Sequence, residues 1–391
     1  MALVLGGVWM YYRLVWVTLA GFVKAVDNYE LFADFARHYY PMGRQIGTLA
    51  FPYPVDGFYY SAFFAIILEP VARLTLPSAM WVWGACEVVL TLALAVVPTR
   101  GWLTLRGWRF ALYVLLFTTS LPVLHNFKFG QVSVLVTLTM LLSLRAHMAG
   151  RPVAAGAWLA LGGSIKYYAA GLVLYYLFRR QWRVIGAFVI AGVGMVVVVP
   201  SIVIGPMLTF QFHREAAEAL AAIGHFIEQD WNSQFLPHVI LRLLHVVDSP
   251  RAVLALFVAG LVVPLANAGI VWRLRKSETL QAAALSFAAL LLSLPFLLST
   301  SWPHYLVYLP CCQAVVVAGL LRMPSRPSRH VLVAAAVTSM FLSSVFALNL
   351  VGQWAAFVWP GPFLWADVLL IPGVFALTRA ELDATTNAAR A

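Results

Sequence analysis

The chain alternates long apolar runs with short polar breaks. Apolar runs lie near 3–23, 58–76, 78–97, 110–124, 131–147, 152–178, 184–204, 251–272, 279–300, 304–321, 331–349 and 361–378. They are long and show no two-residue alternation, so each predicts a helix rather than a barrel strand. Crossing a bilayer takes about 20 apolar residues, and most runs approach that length. The pattern predicts an all-α polytopic membrane protein, a single integral membrane domain over residues 1–391, with about 11–13 transmembrane helices. The run at 152–178 is interrupted by Gly162-Gly163 and Lys166, which predicts two short helices meeting inside the membrane. Such breaks occur where backbone lines a cavity.

Composition strengthens the membrane reading. The 391 residues are 62% hydrophobic and only 10% charged, against about a quarter charged in soluble domains. The net charge of +11 sits mostly in short arginine-rich turns: Arg145 with Arg151, Arg179-Arg180 with Arg183, Arg273 with Arg275-Lys276, and Arg322 with Arg326 and Arg329. These read as cytoplasmic loops facing anionic lipid, not as a nucleic-acid surface. They place 125–130, 205–250, 301–303 and 350–360 outside, and 379–391 as a cytoplasmic tail. Arg100, Arg106 and Arg109 conflict with that scheme, because two full spans over 58–97 put them on the same side as the loop at 24–60. Either one segment in 58–124 is re-entrant or the charge rule fails at 98–109; we place the 24–60 loop outside. Cys86 and Cys311-Cys312 form neither a CxxC pair nor a metal spacing, and read as small buried thiols. Leu3–Val23 lacks a small-residue cleavage site and reads as a first span.

The 24–60 loop carries Asp27, Glu30, Asp34 and Asp56, four of fifteen carboxylates. Helical spacing puts Phe32, Phe35 and Tyr39 on one face, and Asp34, Arg37 and His38 on another. That predicts an interfacial helix with its rings in lipid. Two readings stand: a plain anchor, or a helix presenting Asp34 as a base at the membrane surface.

Other acids are accounted for more easily. Glu69 pairs with Arg73 one turn on, Glu278 sits among arginines, and Glu381 and Asp383 lie in the tail. Asp248 precedes a helix start. Glu87 and Asp367 lie within spans, where an acid is a functional candidate by default. Glu215, Glu218, Glu228 and Asp230 fall in the 205–250 loop. Four polar islands interrupt apolar sequence on the outer side: 125–131 (HNFKFGQ), 164–168 (SIKYY), 231–234 (WNSQ) and 299–305 (STSWPHY). Each alone has a structural account, as a turn, a cap, a snorkelling lysine or an aromatic belt. Together they supply cations and amide donors that suit a lipid-linked phosphate and a sugar.

In order along the chain, Asp34-Phe35, Tyr53-Pro54, Gly130-Gln131, Gly150-Arg151-Pro152 through Ala155-Gly156, Ile165-Lys166, Arg179-Arg180-Gln181-Trp182-Arg183, Asn232-Ser233 and Ser301-Trp302-Pro303-His304-Tyr305 form a set. In these motifs the chain resembles glycosyltransferase family 87 of the GT-C superfamily, over about residues 30–310. It departs at Lys166-Tyr167, where the family has Lys-Pro, and at Tyr53-Pro54-Val55, where it has Tyr-Pro-Pro. The resemblance implies a GT-C-like bundle in the cytoplasmic (inner) membrane. It implies inverting transfer of mannose from a polyprenyl-phosphate carrier to a glycolipid or glycan on the outer face, as in mycobacterial enzymes that extend phosphatidylinositol mannosides. Carried over by position, Asp34 is the general base. Such a reaction needs a base on one face of the sugar and positive charge on the other. Lys166 is the expected phosphate partner, with Lys128 as its rival; His304 would orient or share the acceptor proton. Asn126, Gln131 and Asn232 are assigned to sugar hydroxyls, and Trp302 and Tyr305 to the substrate wall. No DxD motif is present, so neither metal nor cofactor is expected beyond the donor. The competing readings are arabinofuranosyl or glucosyl transfer, a lipid-carrier flippase or transporter, and a subunit with no site. A transporter would show paired broken helices in both halves, whereas the pattern shows one.

Overall fold

A computed structural model describes residues 31–48, 57–99, 103, 105–227, 230–246 and 249–390. The expected first span, Asp27, Glu30, Tyr53-Pro54, Asp56, Arg100, Glu228 and Asp248 lie outside the described residues. The described chain is helical. A π-turn at Phe35–Tyr39 runs into α1 (Tyr40–Thr48), followed by α2 (Ala62–Ala72), α3 (Leu76–Thr99), α4 (Trp108–Thr118), α5 (Leu121–Phe129) and α6 (Ser133–Met148). Next come α7 (Pro152–Ile165), a 3-10 turn (Tyr167–Leu172), α8 (Val173–Phe178), α9 (Trp182–Ile204), α10 (Pro206–Ile227) and α11 (Leu236–Leu243). The last are α12 (Pro250–Lys276), α13 (Leu280–Leu297), α14 (Pro303–Arg322), α15 (Pro327–Leu342), α16 (Val345–Val351), α17 (Trp354–Val358) and α18 (Pro362–Arg390).

Among the described residues six helices are long and apolar enough to cross a membrane, or seven if the bent α5–α6 pair is one span. Four shorter apolar helices add to them, so the protein is an all-α polytopic membrane protein. Several expected spans are pairs of short helices. The 110–124 run breaks at Thr119-Ser120, and the 331–349 run at Ser343-Ser344. The two breaks pair with each other: Leu121 N–H donates to Ser343 C=O at 2.7 Å, and Val345 N–H to Thr119 C=O at 3.0 Å. Each break thus satisfies backbone groups that lipid would leave bare. The 205–250 segment is mostly the helices α10 and α11, and residues 379–390 continue α18.

Of the two apolar runs over 58–97, one forms a helix long enough to cross, which favours the alternative of a segment that does not span. With 11 residues and a rise of about 1.5 Å each, α2 falls well short of a hydrocarbon core about 30 Å thick. Only α3 crosses. Its far end leads to Arg109, which shares a pocket with Arg322 at the end of α14. Arg179 joins the same end, donating to Leu274 C=O and Ser277 C=O, and Ser277 reaches Glu381. The arginine-rich turns therefore gather at one end of the bundle, and the Asp34 helix lies at the other.

Close helix contacts depend on small residues. At Gly156 of α7 a Cβ would stand 2.5 Å from Val184 O and 2.6 Å from Ala187 Cβ on α9. Gly156→Val is expected to destabilise the protein by about 1–3 kcal/mol through overpacking, read as a lower Tm in detergent. At Gly163 the nearest atom is 3.6 Å away. Gly163→Ala should therefore cost nothing, since alanine is the better helix former.

Candidate active site

The site is built around the corner between α5 and α6, which turn through 120° at Gly130. Gly130 has φ +67°, and its N–H and that of Gln131 bond back to Phe127 and Asn126, closing a Schellman turn. A Cβ there would also meet the Cβ atoms of Phe32 and Phe35 at 3.0 Å and Trp83 Nε1 at 3.1 Å. Both conformation and crowding demand glycine. Helix α3 clamps the corner at two points one turn apart. Trp83 Nε1 donates to Gly130 C=O at 3.0 Å, and Glu87 accepts from Asn126 Nδ2 at 2.9 Å. Asn126 Oδ1 in turn accepts from Ser133 N–H at 3.1 Å, pinning the first turn of α6.

The Asp34 segment packs onto this corner. Phe32 N–H donates to Lys128 C=O at 2.6 Å. Phe35 stacks on Trp83 with ring centres 4.7 Å apart, and Tyr39 sits edge-on to Tyr60. The rings of Phe32, Phe35 and Tyr39 are therefore buried in protein, not in lipid as expected for an interfacial helix. The helix begins as a π-turn, with Tyr40 N–H bonded to Phe35 C=O, which shifts the helical spacing. Asp34 and His38 line a cavity, whereas Arg37 is exposed.

This cavity, about 260 Å³, is walled by six separate parts of the chain. Gln131 is its hub. Its Nε2 donates to the Asp34 carboxylate. Its Oε1 faces Tyr39 OH at 3.0 Å, Tyr60 OH at 3.1 Å and Lys166 Nζ at 3.0 Å. Three donors on one side and a carboxylate on the other fix the amide orientation. Burial holds the Asp34 carboxyl above its ordinary pKa; the Gln131 hydrogen bond and the charges of His38, Lys166 and Arg37 oppose that shift.

Lys166 occupies the break between α7 and the following 3-10 turn, in an extended conformation (φ −129°, ψ 119°). The expected interruption of the 152–178 run is thus at Lys166 itself, while Gly162 and Gly163 remain helical. Lys166 is buried, donates to Ser133 Oγ at 3.1 Å, and stands 4.1 Å from the centre of the Tyr305 ring. Among the described residues it forms no direct ion pair.

The opposite wall holds His304 and the 230–232 loop. His304 is buried beside Tyr305, Trp302 and His125, with His125 5.4 Å away and nearly parallel. Among the described residues neither ring nitrogen of His304 has a hydrogen-bond partner. Such a group in a polar cavity calls for a ligand or water. Trp302 Nε1 donates to Asp230 Oδ2 at 2.5 Å, and Asp230 Oδ1 accepts from Asn232 N–H at 2.8 Å. Arg242 secures this loop by donating to Asp230 C=O at 3.0 Å and Ser233 C=O at 2.6 Å.

Of the residues singled out in sequence, Asp34, Gln131, Lys166, Asn232, Trp302, His304 and Tyr305 line one cavity. Asn126 and Lys128 do not. Asn126 is wholly buried, with both halves of its amide spent on Glu87 and Ser133. Lys128 is exposed, its ammonium over the Phe129 ring. Sequence reasoning missed Tyr60 and Ser133, and gave His125, the first residue of the 125–131 island, no role. The acid Asp230, noted only as a loop carboxylate, also faces the cavity; its signal was its place beside the 231–234 island. Within the membrane, Glu87 supports the corner, and Asp367 accepts from Tyr308 OH at 2.9 Å away from the cavity.

Among curated proteins and among solved structures, none matches the chain. A family model does match, that of glycosyltransferase family 87, over residues 58–301. That interval contains the α5–α6 corner, Gln131, Lys166 and Asn232, and stops just short of Trp302 and His304. It covers more than half of the 391 residues, and the protein therefore belongs to glycosyltransferase family 87.

Proposed function

We propose that this membrane glycosyltransferase moves a mannosyl residue, with inversion, from a polyprenyl-phosphate carrier to a hydroxyl of a glycolipid or glycan. The observation that carries this reading is the convergence of Asp34, Lys166 and His304 on one cavity, with Gln131 between the acid and the lysine. A cavity of about 260 Å³ lies near the small end of ligand pockets, about 300–1,000 Å³, and suits one sugar-sized group. By the positive-inside rule the arginine-rich end faces the cytoplasm, so the cavity opens on the outer side.

In this reading Lys166 and neighbouring donors receive the phosphate, and Asp34 approaches the sugar from the other face. The acceptor O–H gives its proton to the Asp34 carboxylate as its oxygen bonds to the anomeric carbon. The bond from that carbon to the phosphate oxygen breaks, and its electron pair leaves on the polyprenyl phosphate. The leaving group is already a stable anion, so a cation suffices where other transferases need an acid. His304, with both nitrogens unbonded among the described residues, hydrogen-bonds the acceptor or relays its proton.

The test is acceptor-dependent release of polyprenyl phosphate from a labelled polyprenyl-phosphate mannose, with the product's anomeric configuration read by NMR. Inverted product supports the reading. Donor translocation without release would make the protein a carrier, and transfer from arabinofuranosyl or glucosyl donors alone would reassign the sugar. The base must be ionised to act, and burial raises its pKa above 3.8. kcat/KM is therefore expected to fall on the acid side with a midpoint above that value, and the limb to vanish in Asp34→Asn.

A further inference from the structure

At the arginine-rich end, two helix hairpins present matching turns. After α6, Gly150 N–H bonds to His147 C=O and Arg151 N–H to Ala146 C=O at 2.9 Å each. After α8, Arg180 N–H bonds to Leu177 C=O at 3.0 Å and Gln181 N–H to Tyr176 C=O at 2.9 Å. Both are Schellman turns with a left-handed residue at the same place. One uses Gly150 at φ +69°; the other uses Arg180 at φ +54°. A side chain costs energy in that conformation, so the glycine is the expected choice and the arginine is the exception.

Between the turns lies a pocket of about 500 Å³, walled by His147, Gly150, Arg180, Gln181, Trp182 and Arg183 among others. Among the described residues no carboxylate is in its wall. Glu278, whose field reaches His147, stands outside it. Among the described residues Arg180 and Arg183 have no acidic partner, whereas neighbouring Arg179 is spent on Leu274 C=O and Ser277 C=O. The pocket opens beside α9, a span only 11% buried within the protein. Trp182, Val189 and Val193 share one exposed face of α9 by helical spacing, running from the pocket toward the bilayer interior. A cationic pocket that continues into a bare apolar helix face fits a molecule with an anionic head and a hydrocarbon tail.

We propose that this pocket binds the phosphate-bearing headgroup of an anionic phospholipid, with Arg180 and Arg183 on the phosphate and the acyl chains along the outer face of α9. The site lies at the far end of the bundle from the candidate active site and does not depend on that reading. A soluble phosphate has no use for the apolar face, which is why the lipid is favoured.

The full-length protein in detergent would be titrated with dioleoyl phosphatidylglycerol, dioleoyl phosphatidylcholine or glycerol 3-phosphate, and bound lipid counted by native mass spectrometry. Phosphatidylglycerol should bind about 25-fold tighter than phosphatidylcholine, with a loss of about fivefold for each of the two arginines removed. Arg180→Gly should weaken phosphatidylglycerol binding and yet leave the lipid-free Tm unchanged or a few degrees higher, because glycine is unstrained there. The pair Arg180→Gly with Arg183→Gln should bring phosphatidylglycerol down to the phosphatidylcholine level. Equal binding of the two lipids by the wild type would overturn the proposal. So would full phosphatidylglycerol affinity in the double variant, or competition by glycerol 3-phosphate at equal concentration. A lower Tm in Arg180→Gly with lipid affinity intact would make Arg180 a structural residue and equally end it.

Discussion

Asp34→Asn is expected to lower kcat by about 10²–10⁴-fold, the usual worth of a positioned general base, with donor affinity little changed. The effect is confined to chemistry because the substitution keeps the local geometry. Asn offers an Oδ1 that accepts from Gln131 Nε2 as the carboxylate does. The hub therefore keeps its contacts to Tyr39, Tyr60 and Lys166. Stability should not suffer. The Asp34 pKa is raised in the folded protein, so the folded state holds its proton more tightly than the unfolded chain. Stability is then lost as pH rises from the unfolded value through the folded one. At neutral pH the ionised, largely buried carboxylate is a cost that Asn removes, and Tm should stay level or rise. Transfer assays, polyprenyl-phosphate binding and thermal melts on one preparation check all three parts. Activity within tenfold of wild type would remove Asp34 from the role of base.

Much of this arrangement was legible in the chain because membranes restrict the options. Backbone must be satisfied within helices, so long apolar runs could only be helices, and polar islands within them had to mark cavities or breaks. The islands around Gln131, Lys166, Asn232 and His304 do meet on one cavity. What hydropathy could not separate was length from crossing. The run at 58–76 is apolar because α2 packs its buried residues, Phe64 and Leu68 among them, inside the protein. Nor does periodicity reveal a π-turn, and so Phe35 and Tyr39 read as a lipid face when they are the foundation of the Asp34 helix. Asn126 was misplaced for a third reason. An amide near a predicted cavity can face a sugar or a buried acid, and its actual partner, Glu87, lies 39 residues earlier. Only three-dimensional proximity decides such a case. The same holds for Tyr60, which meets Tyr39 and Gln131 from a separate element.

The second large effect concerns the cation. Lys166→Met is expected to cut kcat/KM for the donor by about 10²–10³-fold, the range seen when one preorganised stabiliser of developing negative charge is removed. Binding of the product polyprenyl phosphate should weaken in parallel. Lys166 is suited to this role because among the described residues no acid pairs with it directly. Its contacts are the neutral oxygens of Gln131 and Ser133 and the face of Tyr305. With only neutral groups bonded to it at the cavity wall, the Lys166 ammonium is left to pair with an incoming anion, whose own charge favours the protonated form. The same arrangement is costly when empty, since a buried charge without a counter-ion is poorly solvated. Lys166→Met, similar in length and apolar, should therefore leave Tm unchanged or raise it while activity collapses. Lys166→Arg should not restore function, because a planar fork needs donor geometry different from that of a compact ammonium. Lys128→Met provides the internal control. Its ammonium is exposed over Phe129, outside the cavity wall. Removing it should change donor kcat/KM by no more than about threefold, the scale of an exposed charge. If instead Lys128→Met lost donor binding and Lys166→Met retained it, the phosphate would sit on the far side of the α5–α6 corner, and the cavity around Gln131 would have to be reassigned to the acceptor.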